Sequence, residues 1–136
     1  MPLSLLDTDI LSEVFKQRDA VVKQHAASYL LQYQQFTFSV FSRFEIRRGY
    51  LSKQATQQLS RFDLFCGQCQ VLTLDDAVFD RAALLWADAR RGGHPCGDAD
   101  LLIAATALEH GLTLVTGNAR HFSWMTALPT EDWRVP

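Results

Sequence analysis

Short apolar runs alternate with stretches of helical periodicity along this chain, and that alternation restricts the possible folds more than any composition figure does. Leu3 to Leu6 is an apolar run that stops at Asp7. Ile10 to Arg18 and Val21 to Tyr33 carry helical patterns, while Phe36 to Phe41 is rich in β-formers. The pattern turns helical again over Ser42 to Leu51 and over Gln54 to Cys66, where Leu59, Phe62 and Phe65 recur at helical spacing. Val71 to Leu74 reads as a strand and Asp76 to Arg91 as a helix ending at Gly92-Gly93. Asp98 to His110 reads as a helix closed by Gly111, and Thr113 to Thr116 as the last strand. Strands separated by helices pair in parallel, with the helices covering the sheet. The expected fold class is α/β, with a mainly parallel central sheet covered on both faces.

With 136 residues, 48% of them hydrophobic, the chain matches the commonest single-domain size and can bury a sizeable core. There is no internal repeat, low-complexity tract or Pro/Gly-rich linker, so residues 1–136 are expected to form one domain. A net charge of -2 and a pI near 6.0 provide no global attraction to nucleic acid. Any such binding must come from local Arg clusters and from carboxylates neutralised by a metal. No segment reads as a membrane span or a secretory signal, since acidic Asp7 interrupts the first apolar run and no basic stretch precedes it. A cytoplasmic protein without membrane contact is expected.

The odd cysteine count, Cys66, Cys69 and Cys96, argues against a closed disulfide framework and for reduced thiols. Cys66 and Cys69 have C-x-x-C spacing, and His94 with Cys96 offers two further zinc donors. One pair is a weak zinc signal, because isolated cysteines more often behave as small apolar residues.

The chemistry-bearing residues fall at the ends of the predicted strands and at the starts of helices. Asp7 and Asn118 follow strands, and Glu45 and Asp100 fall near helix starts that follow other strands or loops. Ligands of parallel α/β sheets bind outside the carboxyl ends of the strands, so these residues can converge in one crevice. Oxygen donors supplied by separate elements suit a hard divalent cation and phosphate chemistry better than a zinc cage. Each position also has a plainer reading. Asp9 is a candidate N-cap for a helix starting at Ile10. Ser42-Arg43-Phe44-Glu45 fits a capping box, with Glu45 reaching back to the cap amide. Asp98, after Gly97, is the better N-cap of its helix, which leaves Asp100 one turn position inside and free to coordinate. Asn118 is a common turn residue.

The ordered set of motifs resembles the PIN-domain ribonucleases of the VapC toxin type. The resemblance runs through Leu6-Asp7-Thr8-Asp9, then Ser39 to Gly49 around Glu45, then Asp100-Leu101-Leu102-Ile103-Ala104-Ala105. It continues through Leu114 to Phe122 around Thr116 and Asn118, and ends in Glu131-Asp132-Trp133. It implies a three-layer α/β/α sandwich and a magnesium (Mg2+) or manganese (Mn2+) site built by Asp7, Glu45 and Asp100. Asn118 occupies the fourth position, with Asp9, Asp98 and Thr116 as possible supporting residues. The implied activity is endoribonuclease cleavage of structured RNA, often transfer RNA loops. The implied partners are a cognate antitoxin and, as a family expectation, a second copy of the chain.

Contact with RNA requires cations near those acids, and Arg43, Arg47, Arg48, Arg90, Arg91 and Arg120 are the candidates. Arg43 and Arg47 share a helix face at i, i+4. His121, Phe122 and Trp124 offer planes for stacking bases, with Phe122 better suited to the core. Phe15, Tyr29 and Tyr33 are candidates for an antitoxin groove, although their helical spacing also suits a core. Two rival classes are a non-catalytic binding module on the same fold and a PIN nuclease of RNA processing outside any toxin pair. A phosphorylation-dependent receiver domain is disfavoured, because the only lysines, Lys16, Lys23 and Lys53, fall in the first half of the chain.

Overall fold

A computed structural model describes residues 1–136 as five short strands and six helices. The order is β1 (Ser4–Leu6), α1 (Thr8–Lys16), α2 (Ala20–Tyr33), β2 (Thr37–Ser39), α3 (Val40–Ser52), α4 (Thr56–Cys66) and β3 (Gln70–Leu72). Then follow α5 (Asp76–Gly92), α6 (Asp98–Glu109), β4 (Thr113–Val115), a 3₁₀ turn over Ala119–Phe122, and β5 (Thr130–Glu131). All pairings are parallel: β4 lies between β1 and β5, and β2 pairs with β3. β2 also packs beside β1, which brings the two ladders into one layer.

Successive side chains of a strand point to opposite faces, so a strand buried on both sides must be apolar throughout. The last two residues of β1 and of β4 obey this rule, after Ser4 and Thr113 open each strand. Leu5 and Leu114 enter one core, built with Val78, Leu101 and Ala105 of α5 and α6, whereas Leu6 and Val115 enter the other, built with Ile10, Val22 and Phe62 of α1, α2 and α4. The alternation of one residue thus produces helices on both faces of a parallel sheet, as the sequence pattern implies.

The boundaries shift for reasons of capping. Asp7, not Asp9, is the N-cap of α1: its Oδ1 accepts from the Thr8 amide at 2.7 Å, so the helix starts at Thr8 rather than Ile10. Ser39 caps α3 by accepting from the Phe41 amide at 3.0 Å. The expected capping box at Ser42–Glu45 is therefore absent; Ser42 is a buried helical residue and Glu45 lies in the second turn, free to point elsewhere. Asp98 is not a cap either. Gly97 holds the N-cap conformation, and Asp98 is the exposed first residue of α6. β5 has only two residues, too few to carry a period-2 signal in the sequence.

Asp75, by contrast, caps α5 through a 3.0 Å bond from the Val78 amide. Asp75→Ala is therefore expected to cost roughly 0.5–2 kcal/mol. Asp98→Ala loses only a favourable charge at a helix start, roughly 0.3–1 kcal/mol at most. Paired urea unfolding curves test this, and an Asp98→Ala loss as large as that of Asp75→Ala would contradict the capping assignment.

Candidate metal-type active site

The carboxyl ends of β1 and β4 adjoin, and the site grows from that junction. The Asp7 amide donates to the Val115 carbonyl at 2.9 Å, extending the β1–β4 ladder by one residue and fixing the Asp7 backbone. The Thr116 amide donates to the Glu131 carbonyl at 2.9 Å, which holds the end of β4 from its other side. Thr116 Oγ1 then donates to Asp7 Oδ2 at 2.7 Å. Both Asp7 oxygens are thus oriented, one by the Thr8 amide and one by the Thr116 hydroxyl.

Thr8 connects the next acid. Its hydroxyl donates to Glu45 Oε1 at 2.7 Å and lies 2.9 Å from Ser42 Oγ, so α1 and α3 meet through polar contacts beside Asp7. Glu45 also has Arg48 Nη2 at 3.6 Å. Asp100, in the first turn of α6, has His121 Nε2 of the 3₁₀ turn 2.9 Å from its Oδ2. Asn118 starts the 3₁₀ turn; its amide donates to Thr116 Oγ1 at 3.1 Å, and its exposed side chain makes no capping bond.

Asp7 is the electrostatic centre. It is 9% exposed, and no Lys, Arg or His forms an ion pair with it. Burial pushes its carboxyl above the ordinary value, and the nearby Asp9 and Asp100 carboxylates push the same way. The Thr116 and Thr8 hydrogen bonds only partly oppose that rise. A buried carboxylate without a protein cation, close enough to a second acid to feel its charge, suits a bound divalent ion. Asp7, Glu45, Asp100 and the Asn118 amide offer hard oxygens, the donor type of magnesium or manganese, although their atoms are not drawn together as those of Cys96, Asp100 and His121 are.

The other expected residues divide. Asp9 and Asp98 are exposed flanking charges, one in the first turn of α1 and one at the start of α6. Arg43 and Arg47 line a cleft against Asp63, Cys66 and Gly67 of the α4 end, and Arg47 pairs with Asp63. Arg90 lies over the Trp86 ring at 4.9 Å, Arg91 pairs with Asp88 at 2.7 Å, and Arg120 is exposed on the 3₁₀ turn. Tyr29 is fully buried, with Phe15 and Tyr33 packed at the edge of its cluster, so these aromatics build core. Cys66 is buried and Cys69 donates to the Phe65 carbonyl; burial holds their thiols up at about 11 and about 12, and they form no donor cluster for zinc. Trp124 stacks on His94 with ring centroids 5.0 Å apart.

Sequence reasoning missed Thr8, whose hydroxyl bridges two helices, and Arg134. The Arg134 guanidinium lies directly over Gly117, where any β-carbon would collide with it. Only glycine lets this cation reach the loop between Thr116 and Asn118. No local pattern announces either contact, since each joins residues distant in sequence.

The fold is thus an α/β protein with acids placed at the carboxyl ends of a parallel sheet, and comparison with known proteins narrows that class. The PIN-domain model matches residues 4–125. The chain belongs to the PIN-domain family, within its VapC branch of endoribonuclease toxins. It is 30% identical over 130 residues to the tRNA(fMet)-specific endonuclease VapC of Shigella flexneri, covering 95% of this chain and 96% of that one. It is 28% identical over 131 residues to ribonuclease VapC1 of Haemophilus influenzae strain R2866, again covering 95% and 96%. The structure of DNA-bound VapBC from Salmonella typhimurium superposes with a TM-score of 0.85 at 25% identity, over 98% of this chain and 99% of that one.

Proposed function

We propose that residues 1–136 act as one domain whose Asp7, Glu45 and Asp100 hold magnesium or manganese for hydrolysis of a phosphodiester in structured RNA, with transfer RNA as the substrate class. The observation that carries this reading is Asp7: buried, oriented at both oxygens and without a protein countercharge. The chemistry such an ion supplies is acidification of water and neutralisation of charge on the attacked phosphate. The protein's own part is geometric. Thr116 and Thr8 fix the Asp7 carboxylate, Thr8 fixes Glu45, and His121 fixes Asp100. Outer partners of this kind orient the coordinating oxygens before any substrate arrives.

Asn118 lies at the mouth of the same crevice and offers a neutral oxygen. Arg48, Arg120 and Arg134, exposed around the crevice, supply the phosphate contacts that a net charge of -2 does not provide. Arg90 and Arg91, in the last turn of α5, are further candidates for phosphate contact. Arg43 and Arg47, turned toward α4, contribute less. The tRNA class is favoured by the specificity of the Shigella relative. A cognate antitoxin is the proposed protein partner, a reading that the VapBC structure of the Salmonella relative favours; a homodimeric toxin acting in the cytoplasm completes the proposal. No helix here is long and apolar enough to cross a membrane.

The test is cleavage of total cellular RNA by purified, antitoxin-free protein with magnesium or manganese, beside Asp100→Asn and an EDTA control. Discrete fragments that vanish in both controls are expected. Loss for Asp100→Asn should exceed the roughly 10–100-fold that removal of an outer-shell partner costs a metal site. No cleavage by well-folded wild type, or full activity in EDTA, would overturn the reading.

A further inference from the structure

One donor cluster beside the crevice has a different chemical character from the rest. Cys96, in the loop between α5 and α6, joins Asp100 and His121 so that one ligand atom from each lies within 4.8 Å of the other two. All three side chains are half-buried, and Cys96 has no disulfide partner. His121 Nε2 and Asp100 Oδ2 are already 2.9 Å apart. His94, two residues before Cys96, and Trp124, three residues after His121, stack their rings with centroids 5.0 Å apart.

A thiol and an imidazole are poor donors for magnesium and good ones for zinc, which selects sulfur and nitrogen in tetrahedral sites. Zinc–sulfur and zinc–nitrogen bonds of about 2.3 and 2.0 Å put tetrahedral ligand atoms roughly 3.5 Å apart. No gap in the cluster therefore has to close by more than about 1.3 Å, within reach of side-chain rotation at half-buried positions. We infer that Cys96, Asp100 and His121 form a second cation site, selective for zinc-like thiophilic ions, whose occupancy takes Asp100 away from the catalytic crevice and stops cleavage. Binding displaces the thiol proton of Cys96 and the hydrogen bond between His121 and Asp100, leaving a fourth position for water. Three protein ligands with one open position are a common zinc arrangement. The shared acid makes the two sites mutually exclusive. The inhibitory half rests on the role of Asp100 proposed above; the binding half does not.

Cobalt(II) is the probe for binding, titrated into untagged, metal-free protein while thiolate-to-cobalt charge-transfer absorption is followed in the near ultraviolet. One equivalent is expected to develop the band, and zinc should abolish it. Cys96→Ser should remove the band, and His121→Ala should weaken binding at least roughly tenfold, on the scale that metal sites lose with a missing partner. Cys66→Ser should leave the band in place. A wild type with no thiolate band, or a band that survives Cys96→Ser, overturns the site. The second readout is the ratio of magnesium-driven RNA cleavage with and without zinc: a large fall in wild type and little change in Cys96→Ser are expected. Equal zinc sensitivity in both proteins overturns the sharing of Asp100. Absence of cleavage even without zinc would count against the nuclease reading while the cobalt spectrum still decides the site.

Discussion

Asp7→Asn is expected to stop metal-dependent RNA cleavage and, in the same protein, to raise the stability of the metal-free fold at neutral pH. The sign follows from burial. Desolvation, joined by the Asp9 and Asp100 charges, raises the Asp7 carboxyl above its ordinary value of 3.8, against the lowering effect of the Thr116 and Thr8 hydrogen bonds. The native state therefore holds the Asp7 proton more tightly than the unfolded chain does. This group's contribution to stability falls as pH rises from the ordinary carboxylate range through the raised native value, and the full penalty persists above it. An amide carries no such charge. Its oxygen still accepts from the Thr8 amide, and its nitrogen can donate to the Thr116 hydroxyl. The loss of cleavage should exceed the roughly 10–100-fold that outer-shell changes cost a metal site.

Thermal melts of both proteins in EDTA check the stability half, at neutral pH and again below the ordinary carboxylate value. The variant's advantage should be present in the first condition and gone in the second. A variant less stable than wild type at neutral pH would mean that Asp7 is held by structural need rather than for a cation. Sites that trade stability for function are expected to behave the other way.

How far the sequence anticipated this site depends on the range of the interaction. Asp7 and Asp100 were legible because each follows a strand or opens a helix in a periodic pattern, and the motifs around them resembled one family. The alternation of apolar runs was legible too, and Leu5 with Leu6 shows why: adjacent residues of one buried strand serve opposite cores. The cap assignments were not. At the start of α3 both Ser39 and Ser42 satisfy the local preference for a cap, and only tertiary packing, which buries Ser42 against Thr8, decides for Ser39. At α6, Gly97 took the cap position that a side-chain preference assigned to Asp98. The Thr8–Glu45 bond spans 37 residues and the Thr116–Asp7 bond 109, so neither leaves a local mark. The same holds for the meeting of Cys96, Asp100 and His121. Cys96 stood in the sequence as a spare zinc donor for the C-x-x-C pair, yet the fold carries it to Asp100 instead.

The largest stability effect is expected at the far end of the chain. Trp133 is 0% exposed and packs against Tyr29 and Phe36, with ring centroids 5.5 and 6.4 Å away, while His25 stacks on it at 6.1 Å. Trp133→Ala should cost about 3–5 kcal/mol, the usual range for emptying an aromatic from a core. Against a typical total of about 5–15 kcal/mol, that is a large share. Its Nε1 is buried without an acceptor, so Trp133→Phe, which removes that donor and keeps most of the ring contact, should cost much less. The effect should also reach the chemistry. Trp133 anchors the segment whose Glu131 carbonyl accepts from the Thr116 amide, and the Thr116 hydroxyl in turn holds Asp7. Trp133→Ala should therefore lose RNA cleavage at temperatures where circular dichroism still reports a folded protein, and Trp133→Phe should retain it. Unfolding curves for Trp133→Ala within about 0.5 kcal/mol of wild type, the scatter of neutral surface changes, would show that the C-terminal segment is not what clamps β4 and its acid in place.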